Sequence, residues 1–141
     1  MYMTMNNGCK IPMLGLGCFK AGEERCVKAV ETAVSVGYRH FDTANHYENE
    51  RYVGQGIRNS GIDRSEVFVV SKIWPTSFAD PVKVIEFSLK ALNLDYIDAY
   101  LIHWPGLDPD ARYRVWETLL RYRDMGYIKG VGVSNFKKAH L

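Results

Sequence analysis

Short runs of strand character alternate with amphipathic helical stretches along this chain, and three of the runs stop at an ionisable side chain. Tyr38-Arg39-His40-Phe41 runs into Asp42, Val67-Phe68-Val69-Val70-Ser71 into Lys72, and Tyr96-Ile97-Asp98-Ala99-Tyr100-Leu101-Ile102 into His103. Such alternation calls for a largely parallel sheet with helices packed over it. Parallel sheets carry their sites at the carboxyl ends of the strands. Asp42, Lys72 and His103 are therefore candidates for one constellation.

The other elements fill in the pattern. Asn7-Gly8 is a strong two-residue turn signal and predicts a small hairpin near the N-terminus. Met13 to Gly17 reads as a short strand. Glu23 to Val36 sets Val27, Val30 and Val34 at helical spacing, with Gly37 as the stop. Asn49 to Ser60 is a weaker helix with Tyr52, Val53 and Ile57 inward and Gly61 behind it. Asp80-Pro81 joins a capping carboxylate to a first-turn proline, and Val82, Ile85, Leu89 and Leu92 follow. Asp110 to Met125 places Val115, Leu119 and Tyr122 on one face and ends at Gly126. Lys129 to Ser134 is a fifth strand, and Phe136 to Leu141 begins another helix. By length, five strands with helices between them fit an open flavodoxin-like sheet or an incomplete (β/α)₈ barrel. A whole barrel takes ~250 residues, so five of its units take roughly 150.

Composition narrows the function classes. A chain of 141 residues points to one domain, and 47% hydrophobic with 24% charged residues is ordinary for a globular one. A net charge of +2 with interspersed signs offers no nucleic-acid stripe. No apolar run is long enough to span a bilayer, and the N-terminal residues lack the regions of a signal peptide. Cys9, Cys18 and Cys26 fit neither a zinc pair nor a disulfide framework. They read as reduced thiols, packed as small hydrophobes, in a cytoplasmic protein.

Tyr47 lies five residues beyond Asp42, in the loop after the second strand. A phenol is a poor acid near neutrality unless a nearby ammonium favours its ionised form. Lys72 can supply that ammonium, Asp42 can hold Lys72, and His103 can donate a hydrogen bond to a substrate oxygen. Such a proton donor with an orienting imidazole suits reduction of a carbonyl. His40 shares a strand face with Asp42, so a metal-dependent hydrolase using His40, Asp42 and His103 is a second reading, although no fourth ligand of matching spacing appears. Gly15-Leu16-Gly17-Cys18-Phe19-Lys20 has Lys where a dinucleotide fingerprint needs its third glycine, so a tight turn after a strand is the simpler account.

Taken together these residues resemble a known family. Gly37-Tyr38-Arg39-His40-Phe41-Asp42-Thr43-Ala44, with Tyr47-Glu48-Asn49-Glu50 and Val53-Gly54, is similar to the first signature of the aldo-keto reductases. Ser71-Lys72-Ile73-Trp74, Tyr100-Leu101-Ile102-His103-Trp104-Pro105 and Gly130-Val131-Gly132-Val133-Ser134-Asn135-Phe136 resemble its later stations, in order along essentially the whole chain. The resemblance implies a (β/α)₈ barrel that reduces aldehydes or ketones with a nicotinamide cofactor, usually NADPH, with NADH as the other option. It implies Tyr47 as general acid, Lys72 lowering its pKa, Asp42 supporting Lys72, and His103 orienting the carbonyl. By the same resemblance Ser134 and Asn135 hold the nicotinamide carboxamide. Gly17, Cys18, Phe19 and Asp42 line the cofactor, and Phe19, His46, Trp74 and Trp104 shape the substrate pocket. No metal is implied.

Members of that family run to about twice this length, with the full barrel count of strands. Residues 1–141 are thus expected to form a partial barrel domain, α/β with about five parallel strands behind an N-terminal hairpin. The resemblance implies a monomeric parent acting on a small carbonyl substrate, without nucleic acid or membrane as partner. The five-strand piece is expected to be weakly active or inactive. Its two unpaired sheet edges favour self-association, or a non-catalytic role in binding a partner or completing a barrel with a second chain.

Overall fold

The computed structural model describes all 141 residues. An antiparallel hairpin, β1 (Tyr2–Thr4) and β2 (Lys10–Pro12), precedes five parallel strands. These are β3 (Leu16–Gly17), β4 (His40–Asp42), β5 (Phe68–Ile73), β6 (Ile97–Ile102) and β7 (Ile128–Val133), lying side by side in chain order. That order separates the two architectures left open by length. A flavodoxin-like sheet reverses direction at a switch point, whereas here each strand is laid beside its predecessor, as in the opening units of a (β/α)₈ barrel. β3 and β7 are the two edges.

Four helices cover one face: α1 (Glu23–Ser35), α2 (Glu50–Asn59), α3 (Pro81–Leu92) and α4 (Pro109–Asp124). Cys26 and Val30, Val53 and Ile57, Ile85 and Leu92, and Val115 and Leu119 pack from these helices onto Phe41, Val69, Ile73, Tyr100 and Ile102 of the strands. This is the main core. Gly37, Gly61 and Gly126 follow α1, α2 and α4 with positive φ, as expected of helix stops. Two glycines are required by packing instead. A Cβ on Gly54 would strike the Leu92 carbonyl of α3, and one on Gly56 would lie 2.7 Å from Val30 Cβ of α1. Their absence of side chains lets α2 wedge tightly between its neighbours.

The other face of the sheet holds the site. Because side chains alternate along a strand, Phe68, Val70 and Lys72 share that face. Phe68, Val70 and Ala99 form a small cluster with Met5, Ile11 and Leu101, so the hairpin covers this face at its N-terminal end. Moving along each strand toward its carboxyl end, the apolar row gives way to Asp42, Lys72 and His103.

Several local expectations are revised. The hairpin turn is a three-residue loop, Asn6 to Gly8: Met5 N–H bonds to Cys9 O at 2.8 Å and Gly8 N–H to Met5 O at 3.0 Å. Gly8 takes φ +84°, the left-handed position that such a loop needs at its last residue. The strand expected from Met13 is only Leu16–Gly17. Lys72 lies inside β5 rather than just past it, opposite Leu101. α4 starts at Pro109, because Asp108 repeats the Asp-Pro device of α3; its carboxylate accepts from Asp110 N–H at 2.9 Å and Ala111 N–H at 3.2 Å. In place of a helix from Phe136 there is one 3₁₀ turn, Lys138–His140. No helix is long and apolar enough to cross a membrane.

Candidate active site

The β4–β5 register sets the first contact. Asp42 lies opposite Val70, one side-chain step before Lys72 on the same face. From there Lys72 Nζ reaches Asp42 Oδ1 at 2.6 Å and the Thr43 carbonyl at 2.9 Å. The Lys72 side chain is 7% exposed and that of Asp42 is 36% exposed. The ammonium is thus buried and compensated, while the carboxylate keeps one side toward solvent.

Tyr47 closes the 3₁₀ turn Asn45–Tyr47 that follows β4, and its ring lies 5.0 Å from Lys72 Nζ. Its Oη is 3.3 Å from Nε2 of His103, which follows β6 directly. Four side chains from three successive βα units therefore meet in one place, as the strand-end reading expected. His103 is buried, and burial first, then the Lys72 charge, pulls its pKa down to about 4. The ring is neutral near pH 7, and its buried Nδ1 has no partner. Nε2 is thus suited to face Tyr47 or a substrate oxygen.

The expectation that Lys72 lowers the Tyr47 pKa is not the balance in this structure. Burial first, then the Asp42 charge, pushes the phenol above its ordinary value. Burial disfavours the phenolate, and the Asp42 carboxylate, paired with Lys72 at 2.6 Å, adds a like charge to that effect. Tyr47 is accordingly a phenol with its proton in place at neutral pH.

Aromatic rings wall the site. Phe19 packs against Tyr47 with centroids 4.9 Å apart, and Trp74 meets His103 edge-on at 4.8 Å. His46 stacks against Trp74 at 4.2 Å and 11°. Phe19 is 60% exposed and Trp104 is 45% exposed, so both stand at the open rim. Ser134 and Asn135 follow β7 beside His103. Asn135 Nδ2 donates to the His103 carbonyl at 2.9 Å and to Ser134 Oγ at 3.0 Å. With Nδ2 so engaged, Asn135 Oδ1 and the Ser134 hydroxyl hydrogen remain for a ligand. Gly17 ends β3 opposite Asp42.

Cys18 does not face this site. Its side chain belongs to the main core, with Sγ 3.8 Å from the Leu16 carbonyl, and the neighbouring Cys26 thiol together with burial pushes its pKa up. Only its backbone can approach a ligand at the rim. His40 turns away as well: Nδ1 lies 3.1 Å from the Pro12 carbonyl, and the ring meets Phe68 edge-on. No three His, Cys, Asp or Glu side chains converge in this structure.

Residue type and spacing do not single out Thr43 and Asn49, yet both are fully enclosed beside the site. Thr43 Oγ1 donates to Asn49 Oδ1 at 2.6 Å, and Asn49 Nδ2 donates to the carbonyls of Cys18 at 2.7 Å and Ala21 at 2.9 Å. Asn49 occupies the N-cap position of α2 but makes no capping bond; it ties the loop after β3 to the end of β4 instead. The only signal for it was its place in the stretch after Tyr47.

Comparison with known proteins bears on the whole arrangement. The model of the Aldo/keto reductase family matches residues 13–141. The chain is 42% identical over 141 residues to morphine 6-dehydrogenase of Pseudomonas putida, covering 99% of this chain and 48% of that protein. It is 39% identical to methylglyoxal reductase DkgA of Escherichia coli K12, covering 99% and 50%. It is 41% identical to glycerol 2-dehydrogenase (NADP(+)) of Saccharomyces cerevisiae, covering 99% and 53%. Among solved structures it superposes on an aldo/keto reductase from Brucella melitensis with a TM-score of 0.96 at 39% identity, over all of this chain and 56% of that one. A Bombyx mori aldo-keto reductase in complex with NADP gives a TM-score of 0.86 at 36% identity, covering 99% and 52%. The chain spans about half the length of the curated relatives it matches.

Proposed function

This chain belongs to the aldo/keto reductase family, and from that premise we propose that its site serves NADPH-dependent reduction of an aldehyde or ketone to an alcohol, with Tyr47 as the proton donor. The observation that carries this reading is the meeting of Tyr47 Oη and His103 Nε2 at 3.3 Å, with the Lys72–Asp42 pair against the Tyr47 ring.

A carbonyl oxygen placed against both groups receives a hydrogen bond from the neutral His103 and a proton from Tyr47. When bound, the nicotinamide supplies a hydride to the carbonyl carbon, so oxygen and carbon each gain what the alcohol requires. Loss of its proton leaves Tyr47 as a phenolate. Lys72 stabilises that charge, and it is held within reach by Asp42 and the Thr43 carbonyl. Lys72 thus acts on the charged state that forms during reaction more than on the resting phenol. The phenolate is then reprotonated from solvent.

The chemistry of the free groups fits a carboxamide at the end of β7. Asn135 Oδ1 can accept from its NH₂ and the Ser134 hydroxyl can donate to its oxygen. Gly17, opposite Asp42, and Phe19, against Tyr47, are the residues proposed to line the cofactor on the β3 side. The choice of NADPH rests on the relatives whose names carry NADP. The curated relatives are named for quite different substrates, morphine, methylglyoxal and glycerol, so the proposal extends to a carbonyl class, entered past Phe19, His46, Trp74 and Trp104.

Tyr47→Phe in an intact, full-length version tests the assignment. Carbonyl reduction is expected to fall by about 10²–10⁴-fold, the usual worth of a positioned acid, while NADPH binding followed by fluorescence persists. Retained turnover would sink the acid assignment. The 141 residues by themselves are expected to turn over slowly or not at all, because a rim this open admits water and weakens every charge interaction in the site. Robust NADPH oxidation by the purified monomer contradicts that expectation.

A further inference from the structure

Behind the strand that carries Lys72 lies a buried polar cluster with no part in the chemistry above. Glu50 Oε1 accepts from Ser71 Oγ at 2.5 Å, and Ser88 Oγ and Tyr100 Oη share a hydrogen bond at 2.9 Å. Glu50 is 2% exposed, and Ser71, Ser88 and Tyr100 are sealed from solvent. Glu50 Oε2 has no partner. None of the ion pairs in the structure includes Glu50. His46, Glu48 and Arg51 stand at the mouth of the cleft whose floor Glu50 forms, with Phe87 of α3 opposite.

We propose that Asn49 and Glu50 are positioning residues for the proposed carbonyl reduction, forming a two-armed clamp that fixes Tyr47 and Lys72 from behind. The inference rests on that reading of the site. Asn49 and Glu50 follow Tyr47 after a single residue, Glu48, which turns the chain with φ +55°. The Asn49 arm reaches Thr43, whose carbonyl holds Lys72 Nζ, and the loop after β3, from which Phe19 packs on Tyr47. The Glu50 arm reaches Ser71, the residue directly before Lys72 in β5. α2 cannot slide to relax either arm, because Gly54 and Gly56 seat it against α3 and α1. The clamp therefore transmits the position of α2 to both reacting neighbours.

Glu50 works in this clamp as a neutral acid. A lone buried carboxylate without a cation is costly, and the orphaned Oε2 is the place for a proton. Burial raises the Glu50 pKa against the opposing hydrogen bond from Ser71. The first turn of a helix favours a negative charge, but that effect is small beside desolvation.

The test compares Glu50→Ala, Glu50→Gln and Asn49→Ala in a full-length barrel carrying these residues, with Val53→Ala on the same helix as a packing control. Glu50→Ala and Asn49→Ala are expected to lower kcat by about tenfold or more with little change in either KM, since a small misplacement of reacting groups costs that much. Glu50→Gln should restore kcat across the pH range, and Val53→Ala should lose stability but keep kcat. In parallel, the Tyr47 phenol is titrated by ultraviolet absorbance, as the difference from Tyr47→Phe. Its midpoint should move toward the ordinary phenol value in Glu50→Ala and stay in place in Glu50→Gln. An infrared carboxylic-acid band at pH 7 that disappears in Glu50→Gln supports the neutral form, and no such band overturns it. A kcat loss in Glu50→Ala no larger than in Val53→Ala, or an unmoved Tyr47 midpoint, overturns the clamp. If an unsubstituted full-length barrel carrying these residues reduces no carbonyl, the functional reading fails while the Tyr47 titration still decides the clamp.

Discussion

Two ion pairs of similar length sit at opposite ends of the same sheet. At the N-terminal end, Arg64 Nη2 meets Asp98 Oδ2 at 2.7 Å; at the carboxyl end, Lys72 Nζ meets Asp42 Oδ1 at 2.6 Å. The first is tied down on both sides. Arg64 also donates to the carbonyls of Val67 at 2.9 Å and Tyr96 at 2.8 Å, and its guanidinium lies over the Tyr96 ring at 4.0 Å. Asp98 Oδ2 accepts the Val69 N–H at 2.9 Å as well. The planar fork of arginine suits this multi-point binding of strand ends. The second pair is left open. Its carboxylate is partly exposed, its ammonium is a point charge beside a phenol, and the neighbouring imidazole has a free nitrogen. A pair anchored at several points locks strands together, even with Arg64 Nε left unpartnered. An open one keeps capacity for a ligand.

This contrast predicts opposite phenotypes. The largest effect is expected from Lys72→Met, which should lower kcat by about 10²-fold or more while the Tyr47–His103 contact and most stability remain. Equal loss of stability and activity would erase the distinction between the two pairs. Next comes Asp98→Asn, which leaves the Arg64 charge without its partner. Unfolding in urea should show a loss of about 2–4 kcal/mol, discounted from a fully buried pair, with kcat per folded molecule unchanged. A change in kcat would mean that the N-terminal end also communicates with the site.

A smaller effect is expected from acid. The His103 pKa is depressed to about 4 in the folded chain against an ordinary value of 6.5. Between those values the unfolded chain binds more protons, so stability rises with pH through this window and is lost as pH falls from about 6.5 toward 4. His103→Asn should flatten that limb in denaturation curves taken across the window, and an unchanged limb would point to another group. The smallest effect is at Glu50, whose folded pKa is raised. There the folded chain binds more protons, so stability falls as pH rises above the unfolded carboxyl value. Glu50→Gln removes that cost and should stabilise the chain at pH 7 but not in acid, as read by thermal melts.

Much of this molecule was legible in advance. Helical spacing located α1 to α3 within a residue or two, and glycine stops were placed correctly because only glycine enters the required turns without strain. Asp108-Pro109 could have been read as Asp80-Pro81 was. The hairpin loop could not, since Asn-Gly serves loops of more than one length and register decides among them. Asp42, Tyr47, Lys72 and His103 stood out because ionisable groups at the ends of apolar strands are unusual. That the Cys18 side chain packs into the core was not legible, because a motif position says nothing about which way a side chain turns. Asn49 and Glu50 stayed hidden because a polar residue on a short helix reads as solvent-facing until its neighbours are known.

The amino-acid sequence by itself determined the order of βα units, the face on which each strand residue lies, and the kind of chemistry available at the strand ends. These follow from periodicity and residue type, which are local. Only the tertiary structure decided that successive strands lie side by side without a switch point, that Lys72 is paired with Asp42, and that Tyr47 is buried enough to hold its proton. It also decided that Glu50 is sealed behind β5. Each depends on inter-strand register and burial, and those are set by packing between residues far apart in the chain.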